Sequence, residues 1–142
     1  MIVIDANLLL YAYSAPTAKQ EKALTWLEAT FSSGDSVGLP WQVISAFIRI
    51  ASNPKLPQLR RPVEEVARLV DQWLEQPGVR VLVPGENHWN IFRQMILEGQ
   101  ASGDLVSDAQ IAALTIEYGG VLYTTDRDFA RFPGLRWTNP LA

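Results

Sequence analysis

Short apolar runs alternate along this chain with longer segments of helical period, and few architectures accommodate that alternation. Residues 1–4, 37–39, 79–83 and 121–125 have the length and aliphatic content of buried strands. Between them, apolar residues recur at helical spacing: Leu24, Leu27 and Phe31, then Val43, Ile44, Phe47, Ile48 and Ile50, then Val63, Val66, Leu69, Val70, Trp73 and Leu74. Helices are expected over residues 6–13, 18–31, 40–52, 62–74, 86–97 and 107–118. Thr17 and Ser107 stand as caps, Pro40 and Pro62 as openers, and Gly119 with Gly120 as a stop. Residues 136–138 add a last short strand. Strands separated by helices predict a three-layer α/β/α arrangement with a mainly parallel central sheet, and 142 residues fit one domain.

The same runs place acids at one edge of that sheet. The first strand stops on Asp5, with Asn7 two positions later, and the run Val121-Leu-Tyr-Thr-Thr stops on Asp126. In open α/β sheets the carboxyl ends of the strands are where ligands bind. Right-handed crossovers bring successive strand ends to that edge. The sixth helix runs antiparallel to the strand that follows it, so Asp108 at its start can approach Asp126. Clustered carboxylates repel unless a cation neutralises them. Magnesium or manganese suits an all-oxygen site, and Asn7 and Thr124 are polar neighbours able to support it. Asp104, one helical turn before Asp108, is a further candidate or a solvated loop residue.

Each aspartate also has a plainer reading. An acid at a helix start is commonly a cap or a partner for the helix dipole, and Asp128 can cap a short helical piece after Asp126. The functional reading rests on Asp5, Asp108 and Asp126 arriving together. His88 is expected at a surface or interface. The five tryptophans are expected as core and interface mass, with Trp41 the best interface candidate.

Composition narrows the chemistry. With no cysteine and a single histidine, thiolate sites, disulfides, cysteine nucleophiles and multi-histidine zinc sites are excluded. The apolar stretches are too short to span a membrane, Met1 leads directly into strand-like sequence, and a cytoplasmic setting is expected. A net charge of −3 argues against broad nucleic-acid affinity but leaves room for a local basic patch. Arg60, Arg61 and Arg127 are candidates for phosphate contacts.

The segments MIVIDANLLLYAY, LPWQVISAFIRIASNP and LVSDAQIAALTIEYGGVLYTTDRDFARFPGLRW together resemble a PIN-domain protein of the VapC toxin type. The similarity runs along nearly the whole chain. It implies a PIN-like fold and a magnesium- or manganese-dependent endoribonuclease acting on RNA. It further implies the toxin half of a toxin–antitoxin pair, usually a homodimer, with a cognate antitoxin protein as partner. Carried over by position, Asp5, Asp108 and Asp126 are the metal-site carboxylates, Thr124 the supporting hydroxyl and Asp128 an auxiliary acid. The family commonly has a glutamate in the third helix, where this chain has Ala46, with Asp104 a possible substitute.

Three functions follow for testing. The first is hydrolysis of RNA phosphodiesters by a cation-activated water. The second is a PIN-fold binding module, catalytically weakened by the missing glutamate, that engages an antitoxin or RNA. The third, a phosphotransfer domain, ranks last: such sites usually need a lysine near the pocket, and none of Lys19, Lys22 and Lys55 follows a late strand.

Overall fold

The computed structural model describes residues 1–56 and 61–142. Five strands, β1 (Ile2–Ile4), β2 (Val37–Pro40), β3 (Val79–Leu82), β4 (Val121–Tyr123) and β5 (Trp137–Thr138), form one sheet in the order β3-β2-β1-β4-β5. Every pairing is parallel, with Ile2 opposite both Val37 and Val121. A sheet of this kind is covered on both faces. Val3, Ile4, Leu39 and Leu122 are accordingly inaccessible to solvent, and the α/β/α architecture expected from the sequence is the one observed.

The helices are α1 (Ala6–Ala12), α2 (Ala18–Ser32), α3 (Trp41–Ala51), α4 (Val63–Glu75), α5 (His88–Glu98) and α6 (Leu105–Glu117), with a 3-10 turn at Arg127–Arg131. Because β1→β2→β3 steps one way across the sheet and β4→β5 the other, right-handed crossovers send α1–α4 to one face and α5–α6 to the opposite face. The packing agrees: α1 lies against α2 and α3, and α5 against α6. The reversal of direction falls between β1 and β4. That gap is the topological switch point, and their carboxyl ends open onto it.

Local sequence explains most boundaries. Thr17 caps α2 by accepting the Gln20 amide, as expected. Pro40 and Pro62 stand at the N-caps of α3 and α4. Gly119 takes a φ of +66°, and the amides of Gly119 and Gly120 bond the carbonyls of Ile116 and Thr115, a Schellman ending that turns the chain into β4. Ser107 is a correction: α6 starts at Leu105, and Ser107 lies inside its first turn. Backbone turns from Leu105 to Ser102 and from Val106 to Gly103 begin the helix before a serine cap is needed.

Trp73 is core, packed edge-on against Phe47 with its indole N–H donating to the Tyr13 hydroxyl. Trp41 and Trp89 are exposed. His88, expected at a surface or interface, is partly buried between α5 and α6. Its Nδ1 lies 3.2 Å from Glu117 and its Nε2 3.2 Å from Gln110, which bridges α5 to α6. Among the described residues, no helix is long and apolar enough to cross a membrane.

Candidate active site

Asp5 is the last residue before the switch point and the first before a helix. Its backbone is extended, and its Oδ1 caps α1 by accepting the Ala6 amide at 2.8 Å. The cap uses one oxygen only. The other, Oδ2, accepts the Thr124 hydroxyl at 2.7 Å.

Thr124 has no solvent exposure, and its oxygen has further partners. It accepts the Asp126 amide at 3.0 Å and the Asn7 side-chain amide at 3.3 Å. One hydroxyl therefore ties the end of β4 to the end of β1 and sets the rotamer of Asp5. Burial is the main reason the Asp5 carboxyl titrates above its ordinary range, and repulsion from Asp126 adds to it. The hydrogen bonds from Thr124 and Ala6 oppose both effects.

Asp108 lies in the first turn of α6 and faces the same edge. Its pKa is pushed up to about 6, first by burial, then by the charges of Asp5, Asp126 and Asp128, with Arg131 offsetting part of the rise. Asp5, Asp126 and Asp128 thus lie near enough for their charges to act on Asp108. Asp126 is partly engaged: its Oδ1 accepts the Asp128 amide, so Asp126, and not Asp128, caps the 3-10 turn. Asp128 is exposed.

A cleft of about 490 Å³ opens between β1, α3 and α6, with Asp5, Gln42, Ala46, Arg49, Asp104 and Asp108 in its lining. Asp104 is exposed at its rim, at the N-cap position of α6 but making no capping bond. Among the described residues, no three carboxylates or histidines stand close enough to hold a metal ion by themselves. The structure therefore gathers Asp5, Asp108 and Asp126 at one edge without closing them into a cage.

The donor set nevertheless fits a hard cation of the magnesium kind, which takes one or two carboxylates and keeps several waters. Unmet polar demand is also concentrated here. Among the described residues, the buried side-chain oxygens lacking any hydrogen-bond partner are Asn7 Oδ1 and Gln42 Oε1. Each such atom costs about 1–3 kcal/mol. Asn7 reaches Asp5 through Thr124, and Gln42 shares the cleft with it.

The basic residues divide differently from the sequence expectation. Arg60 lies outside the described residues. Arg61 sits at the far end of α1, where it pairs with Glu65, donates to the Tyr13 carbonyl and covers the Tyr13 ring. Arg127 is exposed on the 3-10 turn beside Asp126. Two arginines nearer the acids were not anticipated. Arg49 lines the cleft. Arg131 donates to the carbonyls of Gly99 and Gln100, which holds its charge where it acts on Asp108. A signal for Arg49 existed, since Gln42, Ala46 and Arg49 fall at i, i+4 and i+7 on one helical face. Nothing local marks Arg131.

Comparison with known proteins bears on this edge. The family model described as PIN domain matches residues 2–135. Ribonuclease VapC37 of Mycobacterium tuberculosis (strain ATCC 25618 / H37Rv) is 34% identical over 142 residues, covering 100% of this chain and 99% of that protein. Ribonuclease VapC33 of the same strain is 34% identical over 141 residues, covering 99% of each. Among solved structures, VapBC-1 from nontypeable Haemophilus influenzae contains a chain that superposes with a TM-score of 0.71 at 19% identity, covering 100% of both chains. A chain of VapBC2 from Rickettsia felis, bound to a DNA fragment from the promoter, gives a TM-score of 0.72 at 19% identity over 98% of each. At those identities the structural likeness speaks to the fold.

Proposed function

The chain belongs to the PIN-domain family, alongside VapC-type ribonucleases, and from that premise we propose that it is a metal-dependent endoribonuclease and the toxin of a type II toxin–antitoxin pair. The observation that carries this reading is the junction at the switch point, where the Thr124 hydroxyl fixes Asp5 while Asp108 faces the same edge from α6. Full-length similarity to named ribonucleases supports RNA as substrate.

Asp5 and Asp108 would hold the cation, magnesium or manganese, with Asp126 as a nearby negative charge. When bound, such a cation supplies Lewis acidity toward a phosphate and an acidified water. The protein's own part is positional. Thr124 and the Ala6 amide fix the two oxygens of Asp5, which lines the cleft. Arg131 moderates the charge that accumulates around Asp108. Arg49, at the cleft wall, and Arg127, beside Asp126, stand where a phosphodiester would need cationic contacts.

Cleavage of RNA with magnesium or manganese, compared for the parent, Asp5→Asn and Asp108→Asn, tests the assignment. We expect at least a ~100-fold loss in each variant. Undiminished cleavage by both would sink it. The same reading makes the chain one cytoplasmic domain, pairing with itself as a homodimer and with a small antitoxin protein.

A second reading has an observation of its own. Ala46 leaves α3 without a carboxylate, and no three acids converge among the described residues. Both features suit a PIN-fold binding module that engages antitoxin or RNA without efficient cleavage. Calorimetric titration with manganese separates the two, because only the enzyme reading requires the cation to bind.

A further inference from the structure

Helix α3 approaches the acid cleft with one long polar side chain in its first turn. Gln42 lines the cleft with Asp5 and Asp108, and its Oε1 is buried without a hydrogen-bond partner. Native proteins rarely leave a buried acceptor unpaired without an ion, water or ligand to complete it. The neighbour one turn along is Ala46, whose single methyl leaves the space beside Gln42 open to the cleft. Residues at i and i+4 share a helical face, so both present to the same cavity.

Two carboxylates leave coordination positions for other oxygens, and no three acids converge among the described residues. A neutral amide oxygen is an ordinary ligand for a hard cation and adds no repulsion to a crowded carboxylate pair. We propose that Gln42 contributes the oxygen ligand of α3 to the cation site, so that the cleft binds its ion with Asp5, Asp108 and one neutral carboxamide. The proposal rests on the cation-dependent reading above and adds a residue to it. It also gives the site a lower negative charge than one with an acid on α3, and hence a weaker hold on the ion.

Manganese binding to the full chain, followed by calorimetry and by the electron paramagnetic resonance signal of free manganese, tests this without reference to cleavage. The parent, Gln42→Ala, Gln42→Glu and Asp5→Asn are compared, with circular dichroism reporting the fold. Gln42→Ala is expected to weaken manganese about 10-fold, and Gln42→Glu to bind at least as tightly as the parent. Parent-like affinity in Gln42→Ala, with binding lost in Asp5→Asn, would overturn the role of Gln42 and leave the acid site standing. Weakening in Gln42→Glu equal to that in Gln42→Ala would overturn it as well, since an added carboxylate must strengthen a true ligand position. No manganese binding by the parent would remove both this inference and the enzyme reading.

Discussion

Thr124 shows how much a single residue arranges here. Its hydroxyl has one proton, and that proton goes to Asp5. Its lone pairs take the Asp126 and Asn7 donors, so the two strand ends are locked by one oxygen. Asp108 has no comparable support. Its folded-state pKa of about 6 stands above the ordinary 3.8, so the folded protein holds a proton that the unfolded chain has released between those values. Stability falls as pH rises through that window, and the penalty persists above it. Asp108→Asn should therefore stabilise the cation-free protein at pH 7–8 by about 1 kcal/mol, the full linkage value being reduced because the group is only partly buried and water screens it. At pH 3–4 the variant and the parent should unfold alike. Urea titrations at both pH values check this, and a variant less stable than the parent at neutral pH would contradict the repulsion argument.

At the scale of elements, α6 links the site to the fold. Its first turn carries Asp108, and its last carries Glu117, which accepts the Gly85 amide and meets His88. Its start is set by backbone turns, which is why a serine three residues in misled the boundary expected from sequence. Its end is set by Gly119 in the left-handed region. An alanine there keeps the helix but pays a backbone strain of about 1 kcal/mol. Gly119→Ala should lower stability by roughly that amount in denaturant melts. A neutral or stabilising result would mean that the turn relaxes out of the conformation described. Helix α3 illustrates the opposite case. Its apolar face was legible from Val43, Ile44 and Phe47, which are buried. Its polar face, Gln42 and Arg49, gained meaning only when β1 and α6 closed a cleft against it.

For the whole molecule, charge and topology act together. A net charge of −3 gives no general attraction to nucleic acid, so on the proposed reading RNA would be held by local cations near an acidic edge. On the same reading that edge would be a target for a basic partner segment. A partner's arginine placed in the cleft would occupy the carboxylates that the cation needs. A basic peptide from the partner protein should therefore inhibit cleavage, and less strongly at high salt. Assays at two ionic strengths measure this, and inhibition that ignores both salt and the Asp5→Asn change would argue against binding at the acids.

The class of the fold was legible in the chain, because apolar runs of strand length separated by helical repeats bury themselves best as a covered parallel sheet. The sequence also marked Asp5 and Asp126 as candidates, since a carboxylate ending an apolar strand stands out locally, with Thr124 as a polar neighbour. How these groups stand relative to one another followed from the closed fold. The strand order put the switch point between β1 and β4, Asp126 was drawn into capping the turn after it, and the carboxylates were held apart. The closed fold likewise decided which cations matter, committing Arg61 to Tyr13 and Glu65 and bringing Arg131 to Asp108. The reason is one of range: propensity and periodicity act over a few residues, whereas the charge and burial felt at Asp108 come from segments joined only by the closed sheet.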